Sequence, residues 1–334
     1  MVKEWTSREI VELSGTYWSC RALQTAVVLD LFTALHDGPK NEAALAGELG
    51  CEERAFAMLT GALAALGFVQ RSDGMLRASD SALIYLSQKS PEYLGFIIKH
   101  HANIMPAWTR LEQAVRTGRS TAERRSIDAE DPAEREAFLM GMFNVARLQA
   151  DRIAGGLDLS GRERLIDVGG GPGTYAIHFC LKNPKLKATV FDLPSTRPYA
   201  EKTIARFGLS DRIDFQAGDF TGKIPEGYDV AWLSQVLHGE SPESAATVVK
   251  NAASCLRPGG LLLVQEFLMD DDRSGPAHAA LFCLNMLVQT PGGQAYSGAE
   301  VSEMFRQAGA GNIRKLDMDL PQSCAIVMGD MPRA

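Results

Sequence analysis

Hydrophobic residues in the first third of the chain recur with a helical period. Leu23, Val27, Val28, Leu31, Phe32 and Leu35 fall on one face of a predicted helix, which stops at His36-Asp37-Gly38-Pro39. Asn41 is placed to cap a short helix reaching Leu49, Gly50 to end it, and residues 52–66 predict a second helix. Two short helices this close together have helix-turn-helix spacing. Residues 68–71 and 75–77, joined through Ser72-Asp73-Gly74, predict a two-stranded wing, because Asp-Gly tolerates the left-handed backbone of a tight hairpin turn.

Two longer helices are predicted over residues 91–116 and 131–155, separated by the polar, Arg-rich segment 117–128. From Arg164 the pattern changes. Short apolar runs at 165–168, 188–191, 213–216, 230–233 and 261–265 alternate with helical stretches, which is the pattern of a parallel, doubly wound sheet. Runs at 313–316 and 325–328 add a final pair of strands. The expected fold class is α/β: a Rossmann-like doubly wound domain preceded by a mostly helical winged-helix domain. The expected division is residues 1–90, a helical bridge over 91–160, and 161–334.

Composition narrows the function. A chain of 334 residues has room for one large and one smaller domain. Hydrophobic residues at 46% and charged residues at 22% are those of a globular protein that folds throughout. A net charge of -7 argues against a nucleic-acid partner, since phosphate neutralisation needs clustered Lys and Arg. There is no apolar run of about 18 residues to span a membrane, and polar residues follow Met1-Val2-Lys3-Glu4-Trp5, so a cytoplasmic location is expected. Cys20, Cys51, Cys180, Cys255, Cys283 and Cys324 are scattered, which suggests buried small hydrophobes rather than a zinc site or a disulfide framework.

The segment Leu165-Ile166-Asp167-Val168-Gly169-Gly170-Gly171-Pro172-Gly173 is a buried strand running into a glycine turn, where backbone can approach a ligand closely. The dinucleotide fingerprint fails, because the position three after Gly171 is Thr174. Asp167 sets a carboxylate at the strand end, which favours a cationic ligand and repels an added phosphate. S-adenosylmethionine, with its sulfonium and ammonium, has that chemistry. Asp192 in Asp192-Leu193-Pro194 lies about one βαβ step later, where an acid accepts ribose hydroxyls. Asp219 follows the third strand and is placed to hold an adenine amino group, with Phe220 packing on the base. Each acid alone also suits a turn or a cap, but three of them end three consecutive strands.

These residues, with Leu237-His238 and Arg257-Pro258-Gly259-Gly260, resemble the class I methyltransferases. The closer likeness is to the small-molecule O-methyltransferases of the caffeate, acetylserotonin and hydroxyneurosporene type, over nearly the whole chain. The resemblance implies S-adenosyl-L-methionine held by Asp167, Gly169, Gly171, Asp192, Leu193, Asp219 and Phe220, with Ser234 where the family carries a lysine. It also implies a winged-helix front that makes a homodimer and partly covers the partner's substrate pocket instead of binding DNA. The opening Glu52-Glu53 of the would-be recognition helix, which would face phosphate badly, agrees.

His238 matches the family's general base and Glu266 the glutamate that orients it. His100 and His101 are weaker candidates for the base. Positioning of an acceptor behind the sulfonium carbon supplies much of the acceleration, and an imidazole takes the proton of a phenol as attack proceeds. Met105, Trp108, Phe138, Met142, Phe143, Phe282, Asn285 and Met286 occupy stretches that line the acceptor pocket in the family, and Asn285 is a polar residue in an apolar helix. No metal is expected.

Gly239-Glu240 stands where the plant enzymes have Asp-Trp, and Ala295 where they have a second glutamate, with Glu240 a candidate substitute. The expected reaction is methyl transfer to a hydroxyl of a small aromatic or polyketide-like molecule. C- or S-methylation on the same scaffold, a noncatalytic relative, and a ligand-sensing DNA-binding regulator remain open at this point.

Overall fold

The computed structural model describes residues 3–124 and 126–333. Met1 and Val2 of the N-terminal stretch, and Arg125 of the Arg-rich segment, lie outside the described residues. The chain divides into two compact units, Met1–Asn103 and Ile104–Ala334. No helix among the described residues is long and apolar enough to cross a membrane.

In the first unit a Thr6–Glu9 capping box opens α1 (Ser7–Gly15), which buries none of its residues. The predicted helix over Leu23 to Leu35 is two helices, α2 (Tyr17–Val28) and α3 (Leu31–Ala34). Asp30 takes a left-handed backbone (φ 59°) between them and ends the first. Val27, Leu31, Phe32 and Leu35 stay in the core, but Val28 is 56% exposed and leaves the predicted face.

Next come β1 (Lys40–Asn41), α4 (Glu42–Glu48), α5 (Glu53–Ala65), β2 (Val69–Ser72), β3 (Met75–Ala78) and α6 (Asp80–Leu86). Asn41 caps α4 through Ala44 N–H, as predicted, and Glu52 caps α5 through Arg54 and Ala55 N–H. Asp73 and Gly74 both have positive φ (51° and 74°), the backbone a two-residue hairpin needs. The wing has a third strand, since β1 pairs with β3.

The predicted helix over 91–116 begins later and is also split, into α7 (Gly95–Trp108) and α8 (Leu111–Thr117). Leu94 N–H donates to the Tyr85 carbonyl, so residues 87–94 turn back instead of winding forward. At the break, Thr109 Oγ1 bonds back to the Pro106 carbonyl and Arg110 leaves helical geometry (φ -108°, ψ 19°). Asp131 caps α9 (Pro132–Gly156), with proline at its favoured first position.

The rest alternates strand and helix: β4 (Arg164–Val168), α10 (Thr174–Lys182), β5 (Lys187–Asp192), α11 (Arg197–Arg206), β6 (Ile213–Ala217), β7 (Tyr228–Ser234), α12 (Pro242–Ser254) and β8 (Leu256–Phe267). Two helices, α13 (Ala277–Gln289) and α14 (Gly298–Gln307), precede β9 (Gly311–Lys315) and β10 (Cys324–Asp330). The seven-stranded sheet has the order β6-β5-β4-β7-β8-β10-β9. It is parallel through β8, and β10 is antiparallel to both its neighbours. Apolar side chains fill both faces, with Leu165, Phe179 and Trp232 in one core and Ile166, Leu233 and Phe305 in the other. Strand order reverses between β4 and β7, and ligands of open α/β sheets bind beyond the carboxyl ends at such a point.

Candidate active site

β4 ends at that reversal in Gly169, Gly171 and Gly173, all left-handed (φ 68°, 55° and 80°). A Cβ on Gly169 would stand 2.6 Å from Val236 Cγ2 and 3.7 Å from the Phe220 ring, so a side chain there would fill the cradle. Asp167 is 1% exposed beneath the turn, and its Oδ2 accepts the Ala176 N–H at 3.2 Å. Burial pushes its pKa up to about 7, opposed by the Ala176 bond and reinforced by the charge of Asp192.

Asp192 ends β5 and reaches across to the same turn. Its Oδ2 accepts Gly171 N–H at 2.7 Å, while Oδ1 accepts Leu193 N–H at 2.7 Å and Thr196 Oγ1–H at 3.0 Å. Burial raises its pKa against these three donors. With two lone pairs on each oxygen, Oδ1 is filled and Oδ2 keeps further acceptor capacity. Asp219 is exposed after β6, where Oδ1 accepts both the N–H and the hydroxyl of Thr221 at 2.8 and 2.7 Å. Ser234, ending β7, donates to Gln265 Oε1 at 2.8 Å. The turn thus gathers Asp167, Asp192 and Phe220, while one oxygen of Asp219 closes a local turn.

β7 continues into a single 3-10 turn, Leu237–Gly239, that carries His238. The imidazole Nδ1 lies 2.7 Å from Glu266 Oε2, and Glu266 Oε1 accepts the Leu237 and His238 N–H groups at 2.8 and 3.3 Å. One carboxylate therefore grips both the ring and the turn that presents it. The Glu266 side chain is only 2% exposed and that of His238 15%. A carboxylate accepts, so in a neutral imidazole Nδ1 carries the proton and Nε2 the lone pair. Phe282 meets the imidazole edge-on at 4.7 Å between centroids and packs on Phe267 at 4.6 Å.

Among the described residues Glu266 is the carboxylate that reaches His238. The expected substitute does not: Glu240 turns its carboxylate to Ser244, one turn along, while its carbonyl takes the Tyr296 hydroxyl at 2.7 Å. Ala295 is buried. Gly293 packs so closely that a Cβ would lie 2.3 Å from the His238 carbonyl, which explains a glycine there. The weaker candidate His100 belongs to the first unit, where desolvation lowers its pKa to about 4 and keeps it neutral.

Near His238, α13 carries Phe282 and Asn285 one turn apart. The Trp108 indole N–H donates to Asn285 Oδ1 at 2.8 Å. Trp108 is held there because Ser120 Oγ–H, Thr121 N–H and Ala122 N–H converge on the Val288 carbonyl, and Thr121 Oγ1–H donates to the Ala107 carbonyl. Met105, Phe138 and Met142 are half-buried, whereas Met286 is buried. Phe143 packs against Phe207 at 6.4 Å. Sequence reasoning missed the Trp108–Asn285 bond and the grip of Glu266 on two backbone amides. The signal for the first was a polar residue in an apolar helix plus a donor-only indole, with no spacing to link them.

Residues 108–310 match the O-methyltransferase domain family, and residues 11–88 match the O-methyltransferase dimerisation domain. The chain is 35% identical over 325 residues to a 3-hydroxy-5-methyl-1-naphthoate 3-O-methyltransferase of Streptomyces sahachiroi, covering 96% of this chain and 94% of that one. It is 31% identical over 331 residues to the tetracenomycin polyketide synthesis 8-O-methyl transferase of Streptomyces glaucescens, covering 97% of each. The solved structure of PigF with S-adenosylhomocysteine superposes with a TM-score of 0.90 at 27% identity, covering 98% of this chain and 100% of that one.

Proposed function

This chain belongs to the O-methyltransferase family and is an S-adenosylmethionine-dependent methyltransferase, and on that premise we propose that it methylates a phenolic hydroxyl of a fused, polyketide-like aromatic molecule with His238 as general base. The observation that carries the reading is the 2.7 Å contact of His238 Nδ1 with a buried Glu266, which leaves Nε2 as the basic nitrogen. One relative's naphthoate substrate and the other's role in tetracenomycin polyketide synthesis support the acceptor class.

S-adenosylmethionine, when bound, supplies an electrophilic methyl group on a sulfonium. The residues at the turn suit it. Gly169 and Gly171 let backbone close on the ligand, Asp192 Oδ2 has acceptor capacity for a ribose hydroxyl, and Leu193, Phe220, the free oxygen of Asp219 and Ser234 complete the proposed set around Asp167. His238 Nε2 takes the hydroxyl proton as the acceptor oxygen becomes the nucleophile, and the Glu266 carboxylate stabilises the imidazolium that results. Phe282 walls the ring against water.

Met105, Trp108, Phe138, Met142 and Met286 form the rest of the proposed pocket. The front unit serves homodimerisation, and the free cysteines suit a cytoplasmic location. In calorimetric titration with S-adenosylmethionine, Asp192→Ala is expected to weaken binding at least about tenfold, consistent with loss of charge-assisted hydrogen bonds. Unchanged affinity would reject the ribose assignment.

A further inference from the structure

We propose that Tyr296 is a positioning residue for the base: its buried hydroxyl donates to the Glu240 carbonyl and fixes the far end of the turn that presents His238. The inference rests on the reading of His238 as general base and names what holds that base in register.

The turn cannot hold itself. Leu237–Gly239 is a single 3-10 turn, closed by Gly239 N–H on the Val236 carbonyl and Glu240 N–H on the Leu237 carbonyl at 3.2 and 3.0 Å. Short 3-10 pieces have poor hydrogen-bond geometry, so a ring that must meet an acceptor's proton within hydrogen-bond reach needs outside support. Glu266 supplies it at the near end, through the Leu237 and His238 N–H groups. At the far end Glu240 is extended (φ -110°, ψ 153°), its carboxylate turns away to Ser244, and the chain departs into α12.

Tyr296 closes that end. Its hydroxyl reaches the Glu240 carbonyl at 2.7 Å, and its ring, 1% exposed, shares an apolar core with Leu237, Ala245 and Leu268. Burial, with the charges of Glu266, Glu300, Glu240 and Glu243, pushes the phenol's pKa well above its ordinary value, so the group stays a donor. Its neighbours act on the same turn and its exit. Gly293 lies against the His238 carbonyl and Gly292 against Ser241, and Gly293 N–H donates to Thr290 Oγ1 at 2.8 Å. Tyr296 is itself anchored, because Met269 N–H donates to its carbonyl at 2.9 Å and Arg273 donates to the Ala295 carbonyl at 2.7 Å. Residues 290–296 therefore form a strap along the turn, with the Tyr296 hydroxyl as a directional tie.

Without that hydroxyl the Glu240 carbonyl loses its donor, and the peptide that ends the turn is free to rotate. The imidazole then samples more orientations, and proton transfer is lost from those in which Nε2 misses the acceptor hydroxyl. Binding of cofactor and acceptor is spared, since the bond touches neither.

The test compares the wild type with Tyr296→Phe, His238→Ala and the double variant, with S-adenosylmethionine and 3-hydroxy-1-naphthoate as substrates. Tyr296→Phe keeps the ring in its core and removes only the donor. It is expected to lower kcat roughly tenfold while KM and cofactor affinity change by less than about twofold. Because Tyr296 acts through His238, the two losses should not multiply: the double variant should match His238→Ala within about twofold. Amide hydrogen exchange in the S-adenosylhomocysteine complex reads the turn without turnover. Gly239 and Glu240 should exchange at least about tenfold faster in Tyr296→Phe, with the β7 and β8 amides unchanged. Arg273→Gln, at an exposed position, loosens the strap from its other end and should show the same pattern more weakly, which keeps the test where Tyr296→Phe does not fold.

Wild-type kcat in Tyr296→Phe with unchanged exchange overturns the inference. So do losses that multiply in the double variant, and so does a loss of cofactor affinity and stability with no faster exchange at Gly239 and Glu240, which would make Tyr296 part of the core and nothing more. Undiminished transfer in His238→Ala overturns the base reading itself. The exchange rates tell these failures apart, since they report the turn whether or not His238 takes the proton. A wild type that leaves 3-hydroxy-1-naphthoate unmethylated counts against the acceptor reading alone, and the exchange rates then decide the inference.

Discussion

Asp167 shows how burial converts a recognisable motif residue into a pH-dependent one. Its folded pKa is about 7, whereas an unfolded aspartate titrates near about 3.9. The fold therefore favours the protonated form, and the unfolded chain releases its proton first. Stability from this group is fully present below about pH 4, declines as pH rises through the window between about 4 and 7, and is lost above it. Asp167→Asn keeps an oxygen for the Ala176 N–H and removes the titration. Scanning calorimetry of the cofactor-free protein should show a flatter dependence of Tm on pH in that window for the variant, and an identical slope would refute the assignment. Asp167 and Asp192 were legible in the sequence as acids ending successive strands. Their placement under and across one turn was not, because spacing fixes the strand end and not the direction in which a carboxylate faces.

At the level of elements, periodicity identifies a buried face but is blind to an interruption that preserves it. The residues from Leu23 to Leu35 keep their apolar spacing across Asp30, so two helices read as one. The strand Lys40–Asn41 is too short for alternation to register. The hairpin and α4 were legible because Asp-Gly and Asn41 have specific backbone consequences. The Trp108–Asn285 contact joins residues 177 positions apart, and only the folded chain brings them together. Gly293 was not legible as a structural requirement, because its reason is the close approach to the His238 carbonyl, which only the fold shows. Gly293→Ala forces that turn outward. It is expected to lower stability by about 1–3 kcal/mol, as overpacking does, and to reduce kcat by displacing His238. Urea unfolding with parallel kinetics checks both, and a variant with wild-type stability and rate contradicts the close-packing argument.

For the whole molecule, the alternation of strands and helices gave the doubly wound sheet, and the last two runs gave the final pair of strands. That β10 inserts between β8 and β9 was not legible, since order along the chain does not specify order in a sheet. The first unit leaves α1 without a buried residue and exposes Ile10, Val11, Tyr17 and Trp18, the last at 70%. Exposed apolar side chains close together in sequence, in a segment that overlaps the dimerisation-domain match, predict a homodimer. Analytical ultracentrifugation should find a dimer for the wild type and a shift toward monomer for Trp18→Asp, whereas a monomeric wild type would remove the assignment. Chemistry is the larger question, and labelled methyl transfer from S-adenosylmethionine to 3-hydroxy-1-naphthoate, followed by NMR in wild type and His238→Ala with cofactor affinity measured alongside, addresses it most directly. The expected result is a methyl group attached to oxygen, with kcat reduced about 10²–10⁴-fold in His238→Ala at unchanged cofactor affinity. A methyl group on carbon, or undiminished transfer without His238, would contradict it.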